Sequence, residues 1–334
     1  MVKRPRDSGP QVFLAVSSSG VFGKKVWSLA PQLQSYDDFP RMPCDVSLQP
    51  NQDPSSLSAA HTSRVVTSQS ALSHAEYIRE IFRFRGVFWV MAGRDVLVRY
   101  RYAIFGVAWA VLRPLCVLIT FSAIFKGLVA REGPPGAYTS LVLCAAPLWI
   151  FFSATVQDSI GFVLRDAGLM NRAYFPRILL IFSGVSVGVV DFIISLGLVV
   201  LALYVSGVLY TPHVVLLPLA VVWSVLLVGG CALWVSTLNT RYRDVSNVVP
   251  FGMHLLLVMS PVGYATSNLP AEYLRFLALN PLVGLLELFR YCLLGSPISG
   301  GASTVVIGVL ITGVLVLTGY VLFRRMESWI NDYA

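Results

Sequence analysis

Long apolar runs dominate the chain from residue 105 onward. A helix needs about 20 apolar residues to cross the roughly 30 Å of hydrocarbon in a bilayer. Six stretches meet or approach that length: Phe105–Val129, Tyr138–Val156, Ile178–Val205, Val214–Leu238, Val248–Tyr264 and Val305–Phe323. The fifth is short and is bounded or broken by Pro250 and Pro261. The pattern predicts an all-α membrane protein with six transmembrane helices.

Another apolar stretch, Leu274–Leu294, lies before the last predicted span. It is interrupted by Asn280, Pro281, Glu287 and Arg290, so it is too short and too charged to span comfortably. Irregular backbone at membrane depth is tolerated only where protein or a water-filled cavity covers it. We therefore predict one or two short re-entrant or interfacial helices in this stretch.

An amphipathic pattern precedes the first predicted span, over Glu76–Trp89. The apolar face carries Ile78, Ile81, Phe82, Phe88 and Trp89, and the polar face carries Glu76, Arg79, Glu80 and Arg83. Such a helix suits the membrane interface. A helix packed on a soluble partner is the alternative. The basic segment Arg94–Arg101 leads directly into the first span, and it favours the membrane.

Residues 1–70 are rich in Ser, Pro, Gln and Asp and show no sustained period. They predict a disordered leader, or a translation start assigned too far upstream, and they lack the pattern of a usual signal peptide. The expected organisation is this leader, an interfacial amphipathic and basic segment over 71–102, and a six-span transmembrane domain over 103–334.

Composition excludes a soluble globular protein, because 56% of residues are apolar, 13% are charged and the mean hydropathy is +0.70. The net charge of +8 comes from basic residues that flank apolar runs. Anionic lipid head groups are the expected counter-charge, and no nucleic acid is expected. The five cysteines and four histidines lack ligand spacing, so we predict no metal site.

Basic residues near the span ends set the expected orientation. With both termini in the cytoplasm, ten arginines fall inside: Arg94, Arg99, Arg101, Arg165, Arg172, Arg177, Arg241, Arg243, Arg324 and Arg325. Four basic residues fall outside: Lys126, Arg131, Arg275 and Arg290. Six spans also require both termini on one side, so the two arguments agree.

The longest polar inside loop, Gln157–Arg177, predicts a short helix that ends at Pro176. Apolar Phe162, Leu164, Leu169 and Met170 lie there beside Arg165 and Asp166. A soluble partner could grip such a surface, and a plain connecting loop is an equal alternative. The chain shows no nucleotide-binding loop, because GVFGKK at Gly20–Lys25 lacks the required spacing and its Ser or Thr.

Two ionisable residues fall within predicted spans, Arg113 and Asp191. A charge in lipid is costly and usually pairs or lines a watery path. We predict an Arg113–Asp191 pair of structural character in preference to a proton relay.

Four aromatic residues are candidates to line a conduit, since a flat ring can stack on the apolar face of a sugar. They are Trp109, Trp149, Phe151 and Phe152. Packing between spans or an aromatic belt at the interface is the favoured alternative.

Four groups of residues occur in a characteristic order. The first is RDVLVRYRYAIFGVAWAVLRPL, with Arg94, Asp95, Arg99, Tyr100, Arg101, Gly106, Trp109 and Pro114. The second is LMNRAYFPRILL, with Phe175, Pro176 and Arg177. The third joins NTRYRDV and LLLVMSPVGYA, with Arg241, Tyr242, Arg243, Asp244, Ser260, Pro261 and Val262. The fourth is ALNPLVGLLELFRYCLLG, with Asn280, Pro281 and Arg290.

From Glu76 onward the chain thus resembles the membrane subunit of type 2 ABC exporters of polysaccharides, which move O-antigen, capsule or teichoic acid on lipid carriers. It departs from that family at Arg113, at Leu180 and in the leader. The resemblance implies a permease in the bacterial cytoplasmic (inner) membrane that passes a lipid-linked polysaccharide outward. It also implies a homodimer joined to two ABC ATPase subunits, which bind the ATP, so this chain holds no cofactor.

The resemblance makes the inside loop the coupling element to the ATPase. The expected coupling residues are Leu164, Arg165, Asp166, Leu169, Met170, Arg172, Phe175, Pro176 and Arg177. Arg94, Arg99, Tyr100 and Arg101 would meet lipid phosphates, including the pyrophosphate of the carrier, because clustered arginines bind phosphate well.

Two other functions stay open. An exporter of small hydrophobic drugs could use the same fold. A membrane enzyme acting on lipid-linked sugars would need paired carboxylates or an acidic cluster at one membrane face. Asp166 and Asp244 are single acids beside arginines, so no catalytic residue is expected.

Overall fold

Helices make up the secondary structure of the part of the chain that this computed structural model describes. That part comprises residues 73–101, 137–165, 175–207, 212–266 and 269–333, with isolated positions between 108 and 120. The leader and most of the first expected span lie outside it, as do Trp109 and Arg113.

The main helices are α1 His74–Arg83, α2 Arg85–Arg101, α3 Ala137–Asp158, α4 Ile178–Val205, α5 Leu217–Arg241, α6 Val245–Met259, α7 Ala271–Leu277, α8 Pro281–Leu294 and α9 Ala302–Tyr333. Short helical turns follow α3, at Ser159–Gly161 and Phe162–Arg165, and precede α5, at Pro212–Leu216.

Four segments within the described ranges are long and apolar enough to cross a membrane: Ser140–Gly161, Ile178–Val205, Pro212–Arg241 and Ala302–Glu327. They correspond to the second, third, fourth and sixth predicted spans. Helix α6 lies where the fifth span was predicted. Its 15 residues extend about 22 Å at about 1.5 Å per residue. The described ranges therefore contain four candidate spans and one shorter apolar helix, and the six-span architecture stays a prediction.

The amphipathic segment forms two helices, α1 and α2, which meet at Phe84. Ser73 begins α1 with a capping box, in which its side chain and that of Glu76 each accept a backbone N–H of the other residue. Tyr77 is buried, whereas Ile78 and Phe82 are exposed. The helix thus turns one side to the protein and presents apolar side chains on another.

Helix α2 runs beside the first half of α4, in the same direction. Met91 shares a buried apolar cluster with Leu180, the Ser183 hydroxyl donates to Asp95, and Arg99 pairs with Asp191. Because α4 has 28 residues, it is about 42 Å long, longer than the roughly 30 Å of hydrocarbon. The first turns of α4 can therefore extend beyond the hydrocarbon together with α2.

Helices α5 and α9 are parallel neighbours that approach closely. A Cβ added at Gly230 of α5 would lie 3.2 Å from the backbone nitrogen of Val316 in α9. Trp223 Nε1 donates to Thr312 Oγ1 at 2.8 Å, and Trp234 Nε1 donates to Thr318 Oγ1 at 3.2 Å. Small residues and interhelical hydrogen bonds of this kind are typical of helix association in membranes.

Helix α8 occupies the centre of the bundle, against α3, α5 and α9. Its ends follow local rules: Asn280 caps the first turn by accepting the backbone N–H of Leu282, and Gly295 adopts φ 69° at the other end. Its 14 residues extend about 21 Å, too short to cross the hydrocarbon. Two short helices, α7 and α8, thus precede the last span, where one or two were expected, and their re-entrant or interfacial placement stays a prediction.

Candidate functional site

Arg99 joins three helices through two ion pairs. Its Nη1 lies 3.2 Å from Asp158 Oδ2 at the end of α3, and its Nη2 lies 3.1 Å from Asp191 Oδ2 within α4. Tyr100 donates its phenol proton to Asp191. The carboxylate of Asp191 therefore has two partners from α2. Arg113, the partner expected for Asp191, lies outside the described residues, so that pair stays a prediction.

A cavity of about 320 Å³ opens beside Arg99, between α2, α4 and the turns that follow α3. Its lining combines two arginines, two aspartates and apolar side chains: Asp95, Val98, Arg99, Asp158, Phe162, Arg165, Gly184 and Val187. Asp95 also pairs with Arg94 at 2.8 Å. Two of the arginines expected to meet lipid phosphates, Arg94 and Arg99, therefore already form ion pairs with carboxylates. Arg101 is exposed at the end of α2.

The expected coupling loop is described at both of its ends. Leu164 and Arg165 lie in the helical turn Phe162–Arg165, where the Arg165 guanidinium lies 5.5 Å from the centroid of the Phe162 ring. One helical turn is thus described at the start of this loop, and the predicted short helix that ends at Pro176 stays a prediction. The remaining coupling candidates before Phe175 lie outside the described residues: Asp166, Leu169, Met170 and Arg172.

The F-P-R segment anchors the far end of this loop. Phe175 is 5% exposed and packs with Met91 of α2 and Leu180 of α4. Pro176 is buried, and Arg177 immediately precedes α4. The loop therefore returns to the bundle at a point where it contacts α2 directly.

A second group of polar side chains lies beside that point, where α1 packs on the last turns of α9. We call Tyr77, Arg177, Arg324 and Glu327 the inner cluster. Arg324 Nη1 lies 2.9 Å from Glu327 Oε2, and the Tyr77 hydroxyl donates to Glu327 Oε1 at 3.1 Å. The Arg324 guanidinium covers the Tyr77 ring at 4.0 Å from its centroid. Glu327 Oε1 thus contacts α1, and Glu327 Oε2 contacts Arg324 on α9 itself.

Burial and neighbouring charges together shift the pKa values of Tyr77 and Arg177 in the inner cluster. Burial raises the pKa of Tyr77, and the negative charge of Glu327 raises it further, so the phenol keeps the proton that it donates. Burial lowers the pKa of Arg177, and the neighbouring Glu327 and Tyr77 act against that shift. Arg177 Nη1 is buried and has no hydrogen-bond partner within the described part of the chain.

A third group, the outer network, lies at the opposite end of the bundle around α8. Glu287 and Arg290 form a buried ion pair at 3.1 Å, one turn apart on the helix. Arg290 also donates to the backbone oxygens of Pro261 and Tyr264, the latter at 3.2 Å. Glu287 accepts from the Thr266 hydroxyl at 2.5 Å and from the backbone N–H of Ser299 at 2.9 Å. The pair therefore fixes two loops to α8.

The outer network brings motif residues that are far apart in the sequence into contact with one another. Asn280 Nδ2 donates to Ser260 Oγ at 3.0 Å, beside the Pro261 carbonyl that Arg290 binds. Of the six motif positions singled out between Ser260 and Arg290, four thus form one connected group: Ser260, Pro261, Asn280 and Arg290. Glu287 was not among them, and its signal was its spacing of three residues from Arg290 in an otherwise apolar helix.

The described conduit candidates lie within the bundle. Phe151 is 3% exposed and stacks on Phe192 of α4, with ring centroids 4.7 Å apart. Phe152 is also buried, and Trp149 is half-buried with its ring centroid 6.2 Å from that of Phe152. These surroundings match the packing alternative, because the faces of Phe151 and Phe152 are covered by protein. Trp109 lies outside the described residues.

The described ranges contain no group of three or more His, Cys, Asp or Glu side chains that could hold a metal ion. The carboxylates described above instead pair with arginines or accept from hydroxyl and backbone groups. Their arrangement joins helices and loops to one another.

Comparison with known proteins identifies the class to which this bundle belongs. Residues 86–294 match the ABC-2 type transporter family model. The match covers well over half of the 334 residues, and the chain therefore belongs to the ABC-2 type transporter family. It is a membrane subunit of a transporter, as the motifs predicted, and not an enzyme.

Several relatives are similar over most of their length. The O-antigen export system permease protein RfbA of Klebsiella pneumoniae is 26% identical over 243 residues, 71% of this chain and 91% of the relative. An RfbA of Myxococcus xanthus is 27% identical over 64% of this chain and 82% of the relative. The polysialic acid transport protein KpsM of Escherichia coli is 24% identical over 70% and 91%.

Proposed function

We propose that this chain is the permease subunit of an ABC exporter that passes a lipid-linked polysaccharide, such as O-antigen or capsule, across the bacterial inner membrane. The family match supports the transporter class. The observation that carries the substrate class is that the similar proteins are named for exporting O-antigen or polysialic acid, and both are glycans. A separate ABC ATPase binds and hydrolyses the ATP.

The proposed orientation places both termini in the cytoplasm. Asn239 near the end of α5 donates to the Ile160 carbonyl after α3, and Tyr77 joins α1 to Glu327 near the end of α9. These contacts bring one set of helix ends together, and those ends carry Arg165, Arg177, Arg241, Arg243, Arg324 and Arg325. An excess of arginine at one end favours the cytoplasmic side.

In this orientation, α7 and α8 enter from the outer side without crossing the membrane. Helix α8 suits that position, because protein surrounds it and the outer network satisfies the carbonyls of the loop before α7. Two copies of the chain would line one conduit, as closed two-fold symmetry allows. The exposed apolar face of α6, with Val248, Phe251 and Leu255, would contact lipid or the second copy.

The coupling site is the loop between Leu164 and Arg177, which would bind the ATPase. Its described ends support this role, since the Phe162–Arg165 turn packs on α4 and α5 and Phe175 packs on α2. A push on the loop would therefore be applied to several packed helices at once, which is the condition for a rigid-body change.

Lipid phosphates would meet the arginines at the end of α2. Exposed Trp89, Val90 and Leu97 on the same helix suit an interface between head groups and acyl chains. Arg101 is the strongest candidate, because the carboxylates described above engage Arg94 and Arg99. Arg101→Gln should lower export without weakening dimer assembly, and unchanged export would exclude this phosphate contact.

The experiment for the substrate class is deletion of the gene and complementation in its own bacterium. Loss of a surface polysaccharide with accumulation of its lipid-linked form inside the cell, both reversed by the intact chain and its ATPase, would support the proposal. Sensitivity to hydrophobic drugs with normal surface glycan would instead indicate a drug exporter. Absence of the lipid-linked polymer from the cell interior would indicate an earlier, enzymatic step.

A further inference from the structure

The cavity beside Arg99 combines charged and apolar walls. Its volume of about 320 Å³ falls within the range of about 300–1,000 Å³ that is usual for small-molecule sites. Asp95, Arg99, Asp158 and Arg165 supply the charged groups, and Val98 is among the apolar side chains. A ligand that fits this cavity must therefore offer both hydrogen-bonding groups and apolar surface.

The charges around the cavity balance one another. Its lining holds two arginines and two aspartates, and the adjacent Arg94 and Asp191 add one charge of each sign. Asp95 pairs with Arg94 at 2.8 Å, and Asp158 pairs with Arg99 at 3.2 Å. An anionic ligand would approach carboxylates as well as arginines, and like charges placed side by side are unfavourable. The lining therefore favours a neutral, polar ligand.

Hydroxyl groups match these charged side chains, because a hydroxyl can donate to a carboxylate and accept from a guanidinium. The side chains of Asp158 and Arg99 are 51% and 30% exposed, so their ion pair stays accessible to a ligand. Val98 is exposed on α2 and offers a surface against which C–H groups can pack. A sugar ring has both features, with hydroxyls at its rim and C–H groups on its faces.

The position of the cavity connects it to the lipid carrier. Val98 and Arg101 are three residues apart on α2, and side chains at that spacing are neighbours on a helix surface. Arg101 is exposed and is the strongest candidate described above for a lipid phosphate. The sugar bonded to a carrier phosphate at Arg101 would therefore lie beside the cavity, while exposed Trp89 and Leu97 face the lipid interface.

We propose that this cavity binds the sugar at the lipid-linked end of the exported glycan. Asp158 and Arg99 form hydrogen bonds to its hydroxyls, and Val98 contacts its apolar face. The inference rests on the proposed function and adds a sugar-binding site to it. A site of this kind recognises the start of the polymer independently of its length.

The first test measures the binding of two lipids to the full chain in complex with its ATPase. One is the lipid-linked glycan that accumulates in the deletion strain, and the other is the phosphorylated carrier without sugar. Val98→Trp fills the cavity and leaves its charged side chains in place. It should weaken binding of the lipid-linked glycan about tenfold, the equivalent of one lost hydrogen bond to a charged group. Binding of the bare carrier should change less than about twofold.

Two further variants separate the loss of space from other effects. Val98→Ala keeps the cavity open and should bind both lipids as the wild type does. Val90→Trp makes the same change at another exposed position of α2, outside the lining of the cavity, and should also bind both normally. In Val98→Trp, an equal loss for both lipids would show that the cavity does not select the sugar. Unchanged binding of the lipid-linked glycan would show that the cavity is not its site, and either result would overturn the proposal.

Protection of a thiol decides the outcome if Val98→Trp fails to assemble with the ATPase. The five native cysteines are replaced, Val98→Cys or Val90→Cys is introduced, and the complex is assembled before modification. Lipid-linked glycan at about ten times its Kd should slow the reaction of Val98→Cys with a water-soluble maleimide about tenfold. The bare carrier should not slow it, and neither lipid should protect Val90→Cys. Equal protection of Val98→Cys by both lipids, or none, would overturn the proposal.

Failure of this inference differs from failure of the proposed function. If the wild-type complex neither binds lipid-linked glycan nor exports it, the proposed function is wrong. If the wild-type complex exports glycan and Val98→Trp binds lipid-linked glycan equally well, only the sugar-binding site is wrong.

Discussion

At the scale of single residues, the charged side chains described above mainly join helices and loops to one another. Arg99 joins the end of α3 to the middle of α4, Arg290 joins α8 to the loop at Pro261, and Glu327 joins α9 to α1. A buried ion pair by itself is weak support for stability, because desolvation offsets the attraction. Its removal on one side is damaging, since the other charge stays buried and unpaired.

The Glu287–Arg290 pair gives the sharpest prediction at this scale. Arg290→Gln should destabilise the protein by about 3–5 kcal/mol, because it leaves the buried Glu287 carboxylate without its positive partner. The double variant Glu287→Gln, Arg290→Gln should lose less than the sum of its single changes, since neither charge remains. The measurement is the melting temperature of each purified variant in detergent. Additive losses in the double variant would contradict a dependence of each charge on the other.

Titration of Glu76 gives a prediction for the start of α1. The backbone N–H of Ser73 donates to the Glu76 carboxylate, and this bond lowers the pKa below its ordinary value of 4.5. Because the pKa is lower in the folded state, this group stabilises the helix at pH values above the unfolded-state pKa. The contribution disappears as the pH falls through the folded-state pKa. Amide protection in the first turn of α1, corrected for intrinsic exchange, should therefore decrease below pH 4.5.

The control for this titration is Glu76→Gln, whose amide cannot ionise. It should show weaker protection at neutral pH and little change on acidification. A variant that loses protection over the same pH range as the wild type would show that another group is responsible.

At the scale of helices, the bundle depends on places where two backbones come close. At Gly284 of α8, an added Cβ would lie 2.7 Å from the backbone oxygen of Thr304 in α9. A backbone atom within a helix cannot move aside as a flexible side chain does. The first turn of α9 must therefore shift if any larger residue replaces this glycine.

Gly284→Ala should accordingly destabilise the protein by about 1–3 kcal/mol, the usual cost of overpacking. Gly313→Ala is the matched control, because Gly313 lies in α9 and no atom of the described ranges outside its own helix backbone lies within 4 Å of its added Cβ. There the better helix propensity of alanine should leave stability unchanged or raise it by up to about 1 kcal/mol. Melting temperatures in one detergent compare the two variants, and equal losses would show that the close approach of α8 and α9 is unimportant.

At the scale of the whole molecule, sequence predicts helices better than it predicts their partners. Apolar runs of sufficient length identified Ile178–Val205 with its bounds unchanged, because the bilayer length itself sets that pattern. The burial of Tyr77 was not predictable from α1, since its partners lie about 250 positions away in α9. The ion pairs of Arg99 were missed for the same reason: spacing within one helix reveals neighbours at three or four residues, but not contacts between helices.

The arrangement of charge over the molecule gives a prediction for its orientation. One end of the bundle carries exposed Arg241 and Arg243, whereas Arg290 near the opposite end is neutralised by Glu287. The positive-inside rule therefore places the end with Arg241 in the cytoplasm and the α7 end outside. Two exposed positions report the two sides: Ser246, shortly after Arg243, and Glu272 in α7.

The measurement replaces the five native cysteines and introduces Ser246→Cys or Glu272→Cys. In spheroplasts, a membrane-impermeant maleimide should label Glu272→Cys at once and Ser246→Cys only after permeabilisation, because the bilayer separates the two sites. Preserved export by each variant is the control for native folding. The reversed pattern would put the arginine-rich end outside, where no cytoplasmic ATPase could reach the Leu164–Arg177 loop, and it would contradict the coupling role together with the orientation.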